Sequence, residues 1–412
     1  MNAQNHNQLS CAKLSSTIFP ASYNVKIFFT ILFSLYLALS LISFIRPNNY
    51  IILINTLLGL FALILLSNRI RREYVPIYIF VGFLATSFFV SSLFVSRTGW
   101  RLYFPICFIV SSPGIAMILL RGYVYSWGGY IVFYSLAVYF LKFMLAGVDG
   151  YSALKFSSWN GISMLMLAAC ISLYIILSME NKKIDLKPAL FTLVISIWGI
   201  GRSGIASSFV LLLGLLFARL RAKPKFIYYV IICLFIAYFA LSMFAMDYSI
   251  FGNAIDHYLA RQMATGPSER WTMWMNYFNN LDIFRLIFGV NVVEDPWPEG
   301  EINEYNYHNS FINLHLQTGF MGLITLALII FLLFKFFRIN QVFLFLLLTV
   351  ILRWSTDNFI FFGSFDFIPF FFIFYFLKRR SLSRSSYKSS ICRYQRAGLG
   401  KLESEISGKA AL

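Results

Sequence analysis

Residues 50–67, YIILINTLLGLFALILLS, form an unbroken apolar run without a charged side chain. As an α-helix, a run of this length crosses the roughly 30 Å hydrocarbon core of a bilayer. Similar runs recur along the chain, and they lack the apolar–polar alternation that the strands of a membrane β-barrel would show. The sequence therefore predicts an all-α, polytopic membrane protein.

The overall composition supports this class. Of 412 residues, 59% are hydrophobic and 12% are charged, whereas a soluble domain carries about 25% charged residues. The formal net charge of +17 would suggest a nucleic-acid partner in a soluble protein. Here the basic residues cluster at the ends of apolar runs, which is the pattern of cytoplasmic loops, so we expect no nucleic-acid partner.

The apolar runs predict about twelve transmembrane helices, of which the seventh and eleventh are short. The predicted helices are 25–45, 50–67, 75–95, 102–120, 123–147, 159–179, 188–200, 204–218, 226–246, 311–334, 341–352 and 359–377. If the N-terminus is cytoplasmic, 24 of the 34 Lys and Arg residues lie inside. We therefore expect both termini in the cytoplasm.

This topology divides the chain into four parts. Residues 1–24 form a polar cytoplasmic segment with no cleavable signal peptide. The N-terminal helices occupy 25–187, and a second membrane domain occupies 188–377. Its longest loop, 247–307, is expected outside the membrane, on the face opposite the cytoplasm. The basic tail, 378–412, has the composition of a disordered segment.

The loop 247–307 is rich in aromatic residues and holds nine of the 17 acids. Residues 268–278 have the pattern of a short amphipathic helix with Ser268 as its N-cap. The loop is either an ordinary solvated connection or a lid or binding loop, and its length and aromatic content favour the second. Aromatic faces and carboxylates hold sugars by stacking and hydrogen bonding, so Trp271 and Trp274 are candidate sugar contacts.

Two arginines are candidate anion ligands on this outer face. Arg202 lies in Gly201-Arg202-Ser203-Gly204, between two apolar runs. Its side chain either extends to the lipid headgroups or faces a ligand. The flanking glycines favour the second interpretation, because they permit a ligand to approach the backbone closely. Arg270 either forms a surface pair of little energetic value or acts together with Arg202. Two guanidinium groups on one side of the membrane could hold a pyrophosphate.

His308 is the candidate catalytic residue, at the point where the polar loop meets an apolar helix. Histidine titrates near neutral pH and can accept a proton from a sugar hydroxyl. The alternative is a helix-end histidine bonded to backbone. Asn309 beside it is a possible sugar contact. His315, seven residues on, is interpreted as a packing residue, because no metal-ligand spacing accompanies it.

The scattered cysteines form no CxxC pair and no disulfide framework, and we expect no metal and no other cofactor.

Arg353 and Asp357 follow the eleventh helix and either pair structurally or line the same cavity as acceptor contacts. Asp366 lies within the last predicted helix. An ionisable residue inside a membrane helix is a candidate functional residue, although the sequence suggests no partner for Asp366.

Three short pieces, in order, resemble the O-antigen polymerase and ligase superfamily of bacterial inner-membrane proteins. They are 201–206 (GRSGIA), 269–274 (ERWTMW) with 287–290 (IFGV), and 308–312 (HNSFI) continuing to 319–323 (GFMGL). Together they cover about residues 190–340. The resemblance implies a metal-independent membrane glycosyltransferase whose donor is a glycan on undecaprenyl pyrophosphate, presented at the periplasmic face.

By the same resemblance, Arg202 and Arg270 would engage the pyrophosphate and His308 would assist the acceptor hydroxyl. The implied partners are the lipid-linked oligosaccharide, the bilayer, and a chain-length regulator or other polysaccharide-assembly proteins. The Arg-Ser-Gly and His-Asn-Ser-Phe sequences resemble the polymerase branch more than the ligase branch. The alternative is the ligase, which transfers the glycan to lipid A-core. A lipid-linked sugar transporter, or flippase, and a non-catalytic assembly protein are the alternatives of other classes.

Overall fold

The computed structural model describes residues 22–67, 72–97, 99–148, 150–154, 160–220, 268–291, 307–357 and 361–381. Regular secondary structure within these ranges is entirely helical. The predicted ninth helix, the segment before residue 22, most of the loop 247–307 and the tail after residue 381 lie outside the described residues.

The helices follow one another in this order. They are α1 (Tyr23–Ile45), α2 (Asn49–Ser67), α3 (Val75–Phe94), α4 (Trp100–Leu120), α5 (Ser126–Leu145), α6 (Gly150–Ala153), α7 (Asn160–Met179), α8 (Lys187–Trp198), α9 (Arg202–Leu220), α10 (Ser268–Asn279), α11 (Ile283–Phe288), α12 (Ser310–Thr318), α13 (Phe320–Ile339), α14 (Gln341–Trp354) and α15 (367–381). Among the described residues, eight are long and apolar enough to cross a membrane: α1 to α5, α7, α9 and α13.

Two helices are short, as the sequence predicts for the seventh and eleventh runs. The helices α8 and α14 have 12 and 14 residues. At 1.5 Å per residue, each is about two thirds of the roughly 30 Å needed to cross a bilayer alone. The turn after α8 leads to Arg202, the first residue of α9, and the turn after α14 holds Asp357.

Two of the predicted helices differ from the structure at the polar segments. The single helix predicted over 311–334 is wrong, because Gly319 has a φ of +54° and separates α12 from α13. The last helix begins at residue 367, so Asp366 lies in the preceding turn rather than within a helix.

The centre of the bundle is formed by α7 and α15. Every residue from 161 to 177 is buried, and α15 contributes a run of buried phenylalanines, from Phe370 to Phe374 with Ile373 among them. A helix that is apolar on all sides belongs in such a position. Because lipid tails are as apolar as these side chains, close van der Waals packing rather than exclusion of water favours the assembly.

The loop segment 287–290 packs directly on the break between α12 and α13. The amide of Val290 donates to the carbonyl of Leu316 at 3.2 Å. A Cβ at Gly319 would lie 1.9 Å from the carbonyl oxygen of Ile287, and one at Gly289 would lie 2.2 Å from that of Leu316. Only glycines allow this approach of two backbones, and both have positive φ.

Gly319→Ala should therefore destabilise the protein more than Gly147→Ala. Gly147 also has a positive φ, of +68°, but a Cβ there would meet nothing within 4 Å, so its substitution carries only the backbone strain of about 1–2 kcal/mol. Thermal unfolding of the two purified variants in detergent measures the difference. Equal losses would contradict the packing of the loop on Gly319.

Candidate functional site

Asp357, in the turn after α14, joins three helices. Its Oδ2 lies 3.5 Å from Nη1 of Arg353. Its main-chain carbonyl accepts hydrogen bonds from the amide and the hydroxyl of Ser310, at 3.0 and 2.7 Å. Arg353 is fully buried and donates from Nη2 to the carbonyl of Asn160 at 2.7 Å. The first residues of α7 and α12 and the last turn of α14 therefore meet at one buried ion pair.

His308 precedes α12 and faces the same carboxylate. Its Nδ1 lies 3.8 Å from Oδ1 of Asp357, an ion pair when the imidazole is protonated. Its φ of +48° is in the left-handed region, which side chains with a Cβ disfavour. The His308 side chain is 22% exposed, whereas those of Arg353 and Asp357 are covered. His308 is thus the member of this trio that a substrate can reach.

The start of α9 packs at the same place. Arg202 is the first residue of α9. A Cβ at Gly201 would lie 2.9 Å from Oδ1 of Asn160, the residue whose carbonyl binds Arg353. The backbone of Arg202 consequently lies near the Arg353 ion pair. The side chain of Arg202 lies outside the described part of the chain.

The helix α10, predicted over 268–278, is present and is anchored beside His308. Nε1 of Trp274 donates to the carbonyl of Tyr307 at 2.8 Å. Arg270 lies one helical turn before Trp274, so its backbone belongs to the element that is tied to the residue preceding His308. The side chains of Arg270 and Trp271 lie outside the described residues.

The two asparagines of this region make hydrogen bonds within the protein. Oδ1 of Asn309 accepts from the amides of Phe311 and Ile312, at 2.9 and 3.2 Å, and so caps α12. Nδ2 of Asn313 donates to the carbonyl of Phe361 at 2.8 Å. Asn309 therefore orients the helix that follows His308, and Asn313 ties it to the turn before α15.

Arg97, which the sequence analysis did not select, holds the loop against α12. Its guanidinium donates to the carbonyls of Val290 at 3.2 Å and Gln317 at 3.3 Å, and also to that of Leu316. Nη1 also donates to the hydroxyl of Ser91 at 2.9 Å. Burial lowers the pKa of Arg97 to about 10, so the group remains charged near neutral pH.

Replacing Arg97 with lysine should loosen this loop. The ammonium keeps the charge but cannot reproduce the planar fork, and each buried carbonyl left unpaired costs roughly 1–3 kcal/mol. Hydrogen exchange should become faster in residues 287–291 of Arg97→Lys. It should stay unchanged there in Arg46→Lys, a matched variant of an exposed arginine at the end of α1. Unchanged exchange in Arg97→Lys would contradict the role of Arg97.

His315 joins α12 to both loop helices. Its Nε2 lies 3.0 Å from the carbonyl of Leu286, and its Nδ1 is hydrogen-bonded to the hydroxyl of Tyr277. Since a carbonyl only accepts, Nε2 carries the proton, and Nδ1 of the neutral ring accepts from Tyr277. Burial lowers the pKa of His315, and the bond to Leu286 opposes this in part. This environment agrees with the predicted packing role.

Mild acid should therefore weaken the attachment of the loop. The unfolded chain takes up a proton as the pH falls below the ordinary histidine pKa of 6.5, whereas the neutral folded form resists protonation. The stability that His315 contributes is thus complete above 6.5 and is lost as the pH falls through the folded-state pKa. The rate of hydrogen exchange in α10 and α11, corrected for the intrinsic pH dependence of amide exchange, should rise as the pH is lowered from about 7.5 to about 5.5. His315→Gln should remove this change; the same pH dependence in that variant would contradict the assignment.

The residues that the sequence analysis missed gave only weak signals. Arg97 is one of the few basic residues on the outer side in the predicted topology, at the end of a span and two residues before Gly99. Asn160 is an uncharged polar residue at the start of a helix, which is common. Its importance arises from its carbonyl group, and a sequence does not reveal the use of a backbone atom.

No protein-family model matches this chain, and no curated protein sequence matches it significantly. A functional interpretation therefore depends on the site's geometry and on the short motifs. The structure brings the segments 201–204, 287–290 and 308–323 into one contiguous region, through Asn160, Arg353 and the loop contacts.

Proposed function

We propose that the protein is a surface-polysaccharide polymerase of the O-antigen type in the bacterial inner membrane. It transfers an undecaprenyl-pyrophosphate-linked glycan to a lipid-linked repeat unit. The proposal includes twelve transmembrane helices, cytoplasmic termini and a site open to the periplasm. The several apolar helices that are compatible with a bilayer support the multi-pass arrangement.

One observation carries the proposal: the convergence of His308, Asp357 and Arg353 next to the backbone of Arg202. These residues come from three stretches of the chain, at Arg202, at His308 and at 353–357, and each lies at the end of a helix. Charged groups in such surroundings are costly unless they are paired or face a watery cavity. A transporter would more typically place its substrate site at broken helices near mid-membrane, whereas the groups around His308 lie at helix ends beside a loop.

His308 acts as the general base in this proposal. Its imidazole accepts the proton of the acceptor hydroxyl as that oxygen attacks the anomeric carbon of the donor sugar. The imidazolium formed lies within ion-pair distance of Asp357, which stabilises the positive charge. Arg353 in turn balances the charge of Asp357, because its guanidinium lies 3.5 Å away. Arg353 and Asp357 therefore position and support His308 rather than contact the sugar.

Arg202 and Arg270 bind the leaving group. As the bond between the anomeric carbon and the pyrophosphate oxygen breaks, negative charge develops on the lipid pyrophosphate. Two fixed guanidinium groups stabilise this charge, and the planar fork of each can donate two parallel hydrogen bonds to phosphate oxygens. The position of Arg202 at the start of α9 adds the positive end of a helix dipole.

His308→Asn tests the general base. Asparagine tolerates the left-handed backbone of His308 better than alanine does, so the variant removes the imidazole with little strain. We expect polymer formation to fall by about 10²–10⁴-fold at unchanged protein level. Ser355→Ala, whose hydroxyl bonds the Leu352 carbonyl of its own turn, is the matched control and should stay active. Near-wild-type polymer from His308→Asn would exclude His308 from the reaction.

The gel profile of surface lipopolysaccharide from a strain lacking the gene distinguishes the related functions. Core carrying a single repeat unit supports the polymerase. Bare core, with long glycan still on the lipid carrier, indicates the ligase instead. An unchanged ladder contradicts a required role in O-antigen assembly in that strain.

A further inference from the structure

A second polar cluster lies inside the helix bundle, among α1, α2, α4 and the turn before α15. The hydroxyls of Tyr36 and Ser40 each lie 3.5 Å from the carbonyl of Ser364. Nδ2 of Asn55 donates to Ser40 at 3.0 Å. The ring of Tyr36 also packs on that of Phe367. The side chains of Tyr36, Ser40 and Asn55 are at most 1% exposed.

The helix α4 adds two serines to this cluster. Ser111 and Ser112 are fully buried and lie next to the Tyr36 hydroxyl. Neither serine hydroxyl has a hydrogen-bond partner of good geometry, and Oδ1 of Asn55 also lacks one. Buried polar atoms are nearly always satisfied, so three such oxygens in one place point to a bound species that satisfies them.

Asp366 supplies negative charge at this cluster. Its Oδ2 accepts from the amide of Phe362 at 2.7 Å and its Oδ1 from that of Gly363 at 3.1 Å. The carboxyl group is 2% exposed. Asp366 lies between Ser364, whose carbonyl is 3.5 Å from the Tyr36 hydroxyl, and Phe367, whose ring packs on that of Tyr36. Among the described residues, no Lys or Arg forms an ion pair with it. The two amides stabilise the carboxylate in part, and a neutralising proton or cation would remove the remaining cost of burying its charge.

We propose that this cluster binds a monovalent cation the size of Na⁺, held by Asp366, Asn55, Ser111, Ser112 and the carbonyl of Ser364. A proton on Asp366 would satisfy at most one of the unpartnered oxygens, whereas a cation is coordinated by several. One carboxylate and one monovalent charge make the site neutral, which minimises the cost of burial. Carbonyl groups of unwound backbone are also Na⁺ ligands in secondary transporters.

The packing around the cluster favours a small ion. A Cβ at Gly59 of α2 would lie 2.5 Å from the Cβ of Ser111, so α2 and α4 are in close contact there. The donors are hard oxygen atoms with a single carboxylate, whereas divalent-ion sites usually collect more negative ligands. The inference does not depend on the proposed glycosyl transfer.

Thermal unfolding of the purified full chain in detergent tests the proposal, with Na⁺ exchanged for N-methyl-D-glucamine at constant ionic strength. A ligand that binds only the folded state stabilises it in proportion to the logarithm of its concentration above the Kd. We expect Tm to rise by roughly 2 °C for each tenfold increase in Na⁺. An identical Tm in the two cations would overturn the proposal.

Three variants separate cation binding from general stability. Asp366→Asn should lose the Na⁺ response. Ser112→Ala should match or exceed wild-type stability without Na⁺, because it removes an unsatisfied buried hydroxyl, and should gain less from Na⁺. Ser172→Ala removes a buried hydroxyl that bonds its own helix at the Ala168 carbonyl, and it should keep the full response. A full Na⁺ response in Asp366→Asn or Ser112→Ala would overturn the proposal, and Ser112→Ala remains informative if Asp366→Asn fails to fold.

Discussion

The ion pair of Asp357 and Arg353 is the interaction on which the site around His308 depends. Both side chains are covered by protein, and removing one partner from such a pair typically costs about 3–5 kcal/mol. Arg353 also binds the carbonyl of Asn160, and the main chain of Asp357 binds Ser310. The pair thus sets the positions of α7, α12 and α14 together, and it leaves His308 as the partly exposed group.

The same constraint, that buried polar groups must be satisfied, organises the loop on the other side of α12. Arg97 binds carbonyls of both the loop and α12, while His315 binds both loop helices. Glycines at 289 and 319 allow the two backbones to meet. The loop elements that the structure describes are therefore fixed to the helix following His308, which suits a covering element better than a free linker.

Hydropathy was sufficient to predict the all-helical class, most of the described helices and the two short ones, because length and apolar content determine which segments can cross a bilayer. It failed at Gly319, where the apolar run continues although the backbone turns. For Arg353 and Asp357 the sequence left two interpretations open, a structural pair or residues lining the cavity, and the structure shows the pair. The contact of Asp357 with His308 spans some fifty residues and has no local signal in the sequence. The partners of Asp366 are backbone amides, and residue types alone could not identify them.

The most direct test of the central claim is a double-mutant cycle between His308 and Asp357, with polymer formation as the readout. Asp357→Asn keeps the main-chain carbonyl that binds Ser310, so α12 should remain in place. If the two side chains act as one unit, His308→Asn with Asp357→Asn will be no less active than the weaker single variant. If the two losses multiply instead, Asp357 and His308 act independently, and the account of the site is wrong.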